Sequence, residues 1–401
     1  MEGEENPILN MPRPIVDALF KSADVEAENA LTRILSLKAR VEKVKKLFQF
    51  KRLGKRSLEN RRIVAVDGSM STAPSKRIGS SFAIYSAGYM VFEGDKLIDE
   101  KYYAGSLSWI EGRTRNFGVL LKLLMAYTER KAALEAYWKY NPDFILLDGP
   151  FFYFRGRCRY IRDVRLEVKG FEKGLDLIED VRDKTLTLIG TGRAVGVIRR
   201  STGRAIDGWI AYRFGEDSCV RTRDKHVLTM LMPEMSLWSY DSLLDDDPYT
   251  YTTFYYFYRY LRQKGYTVQE LDERKLDLIS QSKKHIEKNL REDLNLKPEK
   301  IPKLKRYYVR YTSTTSPFEV EAVEGTDVIG FSELFAGFYN QTTGLPLPTD
   351  LIDNMVCLPK GSTTAFTEEV EARLIKNRKL TDKTTISDYF AYLNPQKKEF
   401  V

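Results

Sequence analysis

The chain has 401 residues, 43% hydrophobic and 30% charged, an ordinary balance for a globular protein with a sizeable core. No run reaches the roughly 18 apolar residues that a membrane helix needs. Residues 1–14 lack the features of a secretory signal, so we expect a cytoplasmic protein. Three widely spaced cysteines and two histidines argue against a disulfide framework or a zinc site, so a metal site would be oxygen-rich.

In chain order, residues 1–58 read as an N-terminal arm followed by an amphipathic helix, whose apolar positions recur at helical spacing between Val25 and Phe48. The segment RRIVAVDGS predicts a buried strand, and the next two strands form a hairpin at Glu93-Gly94-Asp95. A helix follows from about Arg113 to Lys139. The short apolar strand DFILLDGP comes next, and we expect it to be paired in parallel within the sheet.

The segment from about Asp163 to Lys184 predicts another helix, and TLTLIG with AVGVIRR predicts a further strand region. This order predicts an α/β fold: a ribonuclease H-like mixed sheet flanked by helices, over residues 59–360. An aromatic and charged insertion spans about 237–300, with helix expected over 270–300. The C-terminal elaborations are α+β: a hairpin over Lys305–Val323, a helix over Asp327–Thr342, a loop GLPLPTD, and a charged helical tail over 361–401.

Basic residues are concentrated in two places, between Lys38 and Arg62 and between Arg155 and Arg165. The second segment is interleaved with aromatic residues, a mixture that suits a phosphate backbone and stacked bases. With a net charge of +8, this predicts nucleic-acid binding through Arg155, Arg157 and Arg159. The alternative is a solvated surface over ordinary core aromatics.

Two predicted strands end in the same pair of residues, Asp67-Gly68 and Asp148-Gly149. If the strands are neighbours, the two carboxylates converge, and their repulsion favours a divalent cation between them. Each pair taken alone is also an ordinary turn signal. The pattern predicts metal-assisted hydrolysis with Mn²⁺ or Mg²⁺, in which the cation activates a water and neutralises the leaving oxygen.

The helix between these strands offers a third carboxylate, and Glu111, Glu129 and Glu135 are the candidates. Glu135 has lysines four residues away on both sides, a pattern typical of a solvent-facing salt-bridge row. Glu111 begins the helix, where it complements the dipole. Glu129 shares its face with apolar residues, where a carboxylate needs a partner. We therefore predict Glu129 as the third ligand.

Over most of residues 60–360 the sequence resembles the NurA family of archaeal and bacterial DNA repair nucleases. VAVDGSMS, AYTERKAALEA and FILLDGPFF resemble the family's acidic motifs, which implies Asp67, Glu129 and Asp148 as catalytic metal ligands. VGVIRRSTGRAID resembles the strand where the family carries a lysine, so Arg199 and Arg200 are implied DNA contacts. The remaining matches are TRDKHVLTMLMPE with Asp224, RYYVRYTSTTSPFEVEAV with Arg310 and Glu321, and GLPLP.

This resemblance implies a Mn²⁺-dependent 5′-to-3′ exonuclease and single-strand endonuclease. It also implies a ring-shaped homodimer that works with a hexameric HerA-like helicase in DNA end resection and double-strand break repair.

The last family motif has Tyr-Pro followed by a histidine, whereas this chain has Leu345-Pro346 and, near the histidine position, Asn354. The amide of Asn354 can coordinate metal or bind a water, which makes it a candidate catalytic residue. The lost tyrosine and histidine also motivate an alternative function. In that alternative the chain is a catalytically weak or inactive DNA-binding subunit or helicase adaptor.

Overall fold

A mixed β-sheet flanked by helices forms the centre of the structure, a computed structural model that describes residues 6–109, 114–168, 170–376 and 383–393. The strands are β1 Lys51–Arg52, β2 Arg62–Met70, β3 Ser75–Lys76, β4 Ser81–Glu93, β5 Lys96–Trp109, β6 Phe144–Asp148, β7 Arg165–Val168, β8 Phe171–Lys173, β9 Ala194–Ile198, β10 Ser236–Ser239, β11 Leu304–Arg310 and β12 Phe318–Val323. This arrangement confirms the predicted α/β class.

The helices lie on both faces of the sheet and in the segment between β9 and β11. They are α1 Arg13–Val44, α2 Thr114–Tyr140, α3 Gly174–Gly190, α4 Ala205–Phe214, α5 Asp224–Leu231, α6 Pro248–Gln263, α7 Val268–Glu273, α8 Lys275–Leu294, α9 Val328–Phe335, α10 Leu347–Val356, α11 Ser362–Lys376 and α12 Lys383–Phe390. Among the described helices, none is both long enough and apolar enough to cross a membrane.

The main sheet has the strand order β1-β10-β11-β12-β9-β6-β2-β4-β3, with β5 paired to β4. Strand β6 lies between β2 and β9 and is parallel to both, as predicted, and the other pairings are antiparallel. Because β6 is covered on both faces, its residues Ile145, Leu146 and Leu147 are all buried.

Alternate residues of the parallel strands pack on different helices. Val64 and Val66 of β2 contact the cluster that contains α2 and α3 residues, whereas Ile63 and Ala65 belong to the cluster that contains α9 and α10 residues. Continuing this alternation, Asp67 belongs to the α10 face of the sheet. The side of the sheet on which Asp67 and Asp148 lie therefore follows from the period of two along each strand.

Four sequence-based predictions need correction. The helix expected over Asp327–Thr342 is shorter, because α9 ends at Phe335. TLTLIG is not a strand but the end of α3, because Thr185, Leu188 and Ile189 follow Val181 at helical spacing and are buried. That helix begins at Gly174 rather than near Asp163, because the short β7–β8 hairpin precedes it. GLPLPTD is only partly a loop, since α10 begins at Leu347 and carries Pro348 in its first turn, where a proline is tolerated.

The tyrosine-rich part of the predicted insertion is helix α6, and its inner face is core. Tyr251, Phe254, Tyr255 and Tyr258 are buried in a second hydrophobic cluster that also receives the end of α1. These aromatics therefore hold the helices between β9 and β11 together. The proposed boundaries at residues 58, 59, 360 and 361 remain predictions.

Candidate carboxylate site

The carboxyl ends of the three parallel strands bring two aspartates and one arginine together. Val66 pairs with Leu147, so Asp67 and Asp148 are the next residues on neighbouring strands. Asp148 pairs with Val197, and Arg199 follows the end of β9. By the strand alternation all three belong to the face that α10 covers. Side chains at this edge of a parallel sheet are the usual source of ligand-binding groups in α/β proteins.

Asp67 is nearly inaccessible, with 3% of its surface exposed, whereas Asp148 is partly exposed. The Asp67 Oδ1 atom accepts a hydrogen bond from the amide of Gly68 at 2.7 Å. After Asp148 the chain turns at Gly149, whose φ of +85° is the left-handed conformation that glycine adopts without strain. The Asp-Gly signals therefore mark a strand end at Asp148 and a continuing strand at Asp67.

Glu129 of α2 reaches the same region from the opposite face of the sheet. A Cβ atom at Gly68 would lie 2.9 Å from Glu129 Cγ, so the glycine makes room for the glutamate beside Asp67. Glu129 is buried, and its carboxylate accepts a hydrogen bond from the Tyr153 hydroxyl. The Nη1 atom of Arg130 lies 3.9 Å from Glu129 Oε2. The structure therefore brings Glu129 next to Asp67, with Gly68 between the two layers.

The Arg199 guanidinium lies among four aspartates. Its Nε donates to Asp148 at 3.1 Å and its Nη1 to Asp353 at 2.7 Å. Asp67 lies 3.7 Å from Nη2, and Asp350 lies 3.9 Å from Nη1. One fixed positive charge is therefore shared by four carboxylates, two from strands and two from α10.

Burial and crowding disfavour the charged forms of Asp67, Glu129 and Asp148. Burial, followed by repulsion from Asp148 and Glu129, raises the pKa of Asp67 well above its usual value. Burial raises the pKa of Glu129 to about 7, against the opposing effects of Arg130 and Tyr153. Burial also raises the pKa of Asp148, although Arg199 opposes it. The site thus holds more carboxylates than its cations neutralise.

The donor chemistry of this site fits a hard divalent cation, because every candidate ligand is a carboxylate oxygen and negative charge is in excess. Its geometry is not that of a formed metal centre. Among the described residues, no group of three or more Asp, Glu, His or Cys side chains is arranged to hold an ion. The guanidinium of Arg199 lies where Asp67, Asp148 and Asp353 would share a cation.

Three other acidic or polar candidates have different surroundings. Glu135 bonds to Lys101 and Tyr103 on the partly exposed surface of β5, away from Asp67. Asn354 is exposed on α10, and the described contacts of the cluster come from Asp350 and Asp353 of that helix instead. Glu111 lies outside the described residues.

The predicted DNA-binding arginines divide into two groups. Arg159 is held by Asn289, Glu292 and Asp293 of α8, so its guanidinium fastens that helix to the preceding loop. Arg199 is committed to the aspartates in this structure. The second group is more accessible: Arg157 and Arg200 are exposed, and the partly exposed Arg155 lies over the ring of Tyr249.

Sequence reasoning did not find Asp350, Asp353 or Tyr153. The two aspartates are three residues apart, a spacing that places both on one face of a helix. The prolines on both sides of Leu347 hide this signal, because they favour a loop over a helix in a sequence-based prediction. Tyr153 was counted only as an aromatic near the arginines, although its hydroxyl contacts Glu129.

The sequence matches no protein-family model and no curated protein. The fold is similar to the crystal structure of the NurA nuclease from Sulfolobus solfataricus, with a TM-score of 0.54 at 17% identity, over 93% of this chain and 100% of that one. A NurA structure with manganese also matches, with a TM-score of 0.40 at 11% identity, over 90% of this chain and 98% of that one. Endonuclease V from Bacillus subtilis matches with a TM-score of 0.31 at 11% identity, over 82% of this chain and 91% of that one. At these identities the first likeness shows a NurA-like nuclease fold.

Proposed function

We propose that this chain is a metal-dependent deoxyribonuclease of the NurA type, with a ribonuclease H-like catalytic core. The observation that carries the proposal is the grouping of Asp67 and Asp148, on neighbouring parallel strands, with Glu129 of α2 and with Asp350 and Asp353 of α10. Further support comes from the NurA-like fold and the net charge of +8, which suits a polyanionic substrate.

The residues divide the chemistry between them. Asp67, Asp148 and Glu129 would hold Mn²⁺ or Mg²⁺, which when bound lowers the pKa of a water and neutralises the leaving oxygen. The Tyr153 hydroxyl, by its hydrogen bond to Glu129, fixes the orientation of that carboxylate. Arg200 and Arg155 would contact phosphates, and Arg199 would join them on leaving the aspartates. The exonuclease and single-strand endonuclease activities, and their use in end resection, follow from the family resemblance.

The second candidate function is a DNA-binding subunit or helicase adaptor with little or no cleavage. The observation that favours it is the position of Arg199, whose guanidinium already lies among the carboxylates that a metal would need. The replacement of the family's tyrosine and histidine by Leu345 and Asn354 supports the same function.

A cleavage assay separates the two functions. Labelled single- and double-stranded DNA is incubated with Mn²⁺ and wild-type protein, Asp67→Asn or Asp95→Asn, the last being an exposed aspartate in the β4–β5 turn. The nuclease predicts cleavage that Asp67→Asn abolishes and Asp95→Asn retains. Salt-sensitive binding without cleavage supports the adaptor. Cleavage that survives Asp67→Asn would contradict this site assignment.

The resemblance extends the proposal to two partners, a hexameric HerA-like helicase and a second copy of the chain. For the second copy, support comes from the middle of α1, where apolar side chains such as Phe20 and Ile34 are exposed. We propose that the homodimer forms through this helix.

A further inference from the structure

A cavity of about 600 Å³ opens beside the carboxylate site, a volume within the range of about 300–1,000 Å³ usual for small-molecule sites. One wall is the loop after Asp148, and the other consists of α8 and the segment before β11. Its apolar lining includes Pro150, Phe152, Tyr153, Tyr249, Ile286 and Ile301. The cavity is therefore shaped by the helical segment between β9 and β11, to which sequence reasoning gave no role.

One side chain joins the cavity to the proposed catalytic groups. Tyr153 lines the cavity, and its hydroxyl donates to Glu129. Glu129 in turn lies against Gly68, the residue after Asp67. A ligand in the cavity would thus contact the side chain whose hydroxyl is bonded to Glu129.

The cavity combines aromatic surface with charged side chains of both signs. Tyr249 has the guanidinium carbons of Arg306 and Arg155 at 4.4 and 5.5 Å from its ring centroid. Arg155, Lys283 and Lys303 line the cavity together with the carboxylates of Asp246, Asp247, Glu287 and Glu321, whereas the apolar side chains above form the larger part of its walls. Aromatic surface beside guanidinium groups and carboxylates favours a planar ring whose edges carry hydrogen-bond donors and acceptors over a purely apolar ligand.

We infer that this cavity receives one nucleobase, terminal or unpaired, of the strand whose phosphate lies at the carboxylate site. The inference rests on the proposed DNA substrate and adds to it the element that holds the base. Withdrawal of a base from its stack into a pocket is favoured when the base is terminal or unpaired, because little stacking is lost. The cavity therefore favours single-stranded ends over continuous duplex.

The test measures binding to a single-stranded oligonucleotide in EDTA, so that no cleavage interferes. Three oligonucleotides are compared: one with 2-aminopurine at its 5′ end, one with it at the 3′ end, and one with an abasic residue at the preferred end. We expect wild-type protein to quench 2-aminopurine at one end, and the abasic oligonucleotide to bind at least about five-fold more weakly, the ratio for a stacking energy of about 1 kcal/mol.

Ile286→Trp fills the cavity, and Leu276→Trp adds the same side chain at an exposed position on the same helix. Ile286→Trp should remove both the quenching and the cost of the abasic residue, whereas Leu276→Trp should retain them. Circular dichroism verifies the folding of each variant, and the abasic comparison in wild-type protein requires no variant.

Two negative outcomes are distinguishable. If wild-type protein binds none of the oligonucleotides at low salt, the proposed DNA substrate fails and the inference fails with it. If it binds all of them equally and quenches neither end, the DNA substrate survives and the base-binding cavity is overturned. Quenching that persists in a folded Ile286→Trp variant also overturns it.

Discussion

Arg199 determines the charge balance of the carboxylate site. Its guanidinium is within 4 Å of Asp67, Asp148, Asp350 and Asp353, so it partly cancels their mutual repulsion. A divalent cation offers the same compensation with twice the charge. The guanidinium and the cation therefore compete for the same oxygens, and metal binding should require Arg199 to move.

This competition predicts opposite effects of Arg199→Ala on metal affinity and on stability. Without metal, loss of the guanidinium should reduce the free energy of unfolding by about 1–3 kcal/mol, because partly buried carboxylates lose their partner. In the same variant Mn²⁺ should bind about ten-fold tighter or better, which corresponds to about 1.4 kcal/mol. Calorimetry or electron paramagnetic resonance gives the affinity, and thermal unfolding with and without Mn²⁺ gives the stability.

Arg200→Ala is the matched control, since it removes the same formal charge from the next, exposed residue. It should change the Mn²⁺ affinity far less, because its charge does not lie among the aspartates. Equal Mn²⁺ affinities of the wild type and Arg199→Ala would show that the guanidinium does not compete with the cation.

Asp224 should make stability depend on pH. Its carboxylate accepts hydrogen bonds from the amides of Ala205 and Ile206, at the start of α4, and from the Tyr240 hydroxyl. Burial raises its pKa to about 7, although these donors oppose the shift. The folded chain therefore keeps this proton up to about pH 7, and the unfolded chain loses it near pH 4. Its contribution to the free energy of unfolding is thus largest near pH 4 and decreases as pH rises toward 7.

Asp224→Asn removes this titration and keeps the shape of the side chain. The stability of the wild type relative to the variant should decrease by about 1.4 kcal/mol per pH unit between about pH 5 and pH 7, and stay constant above. Urea unfolding of both proteins from pH 5 to pH 8 measures the difference. A difference that is constant or increases with pH would contradict the shift.

At the scale of elements, a cross-strand ion-pair network fastens β11 to β12. Arg306 is directly opposite Glu321, and its guanidinium also reaches Glu319, with N–O distances of 2.9 and 2.8 Å. Both glutamates are only 1% exposed. Glu321 also accepts a hydrogen bond from the amide of Phe151, which connects the β11–β12 hairpin to the loop after Asp148.

Arg306→Leu should therefore destabilise the fold by about 3–5 kcal/mol, because it leaves two buried carboxylates without their cation. Addition of Glu319→Gln and Glu321→Gln should restore much of this loss, since the neutral amides no longer need a counter-charge. Denaturant unfolding measures both effects. Lys305 is the neighbour of Arg306 on β11, and its ion pair with Asp241 is more exposed. Lys305→Leu should therefore lower the free energy of unfolding by less than about 1 kcal/mol. Similar costs for Arg306→Leu and Lys305→Leu would refute the role of the buried network.

The elements of the parallel sheet could be predicted because their sequences are continuous apolar runs with few alternatives. Strand β6 has this character, and its partners follow from being bracketed by helices. The buried position of Glu129 near Asp67 was also predictable, since a carboxylate on an apolar helix face needs a partner. The contacts of Arg199 were not, because they depend on the register of three strands and on the docking of α10. No local pattern encodes that arrangement.

At the scale of the whole molecule, α1 carries an apolar seam whose middle is left exposed by the other residues that the structure describes. Apolar residues recur along it at alternating spacings of four and three, the pattern of a coiled coil. They are Val16, Phe20, Ala23, Ala27, Ala30, Ile34, Leu37, Val41 and Val44. Val41 and Val44 pack on the body, whereas Phe20 is 46% and Ile34 59% exposed.

The positions from Val16 to Val41 are symmetric about the midpoint between Ala27 and Ala30, which suits an identical helix in antiparallel orientation. Phe20 and Leu37 are equally distant from that midpoint, as are Ala23 and Ile34, so an antiparallel copy would place Phe20 of one chain against Leu37 of the other and Ile34 against Ala23. The alanines between them allow the backbones to approach closely. Such a contact is self-complementary, as a two-fold dimer requires.

Ile34→Glu should therefore convert the proposed dimer to a monomer, because each chain would bury a glutamate in the apolar seam. Val25→Glu is the control, since Val25 is equally exposed but lies on the face of α1 opposite the seam. Sedimentation equilibrium on the full chain at several concentrations measures the mass. A wild-type monomer, or an Ile34→Glu dimer as stable as that of Val25→Glu, would exclude α1 as the interface. Because the seam lies far along the chain from the carboxylates, Ile34→Glu should leave the Mn²⁺ affinity of each chain unchanged, which separates assembly from metal binding.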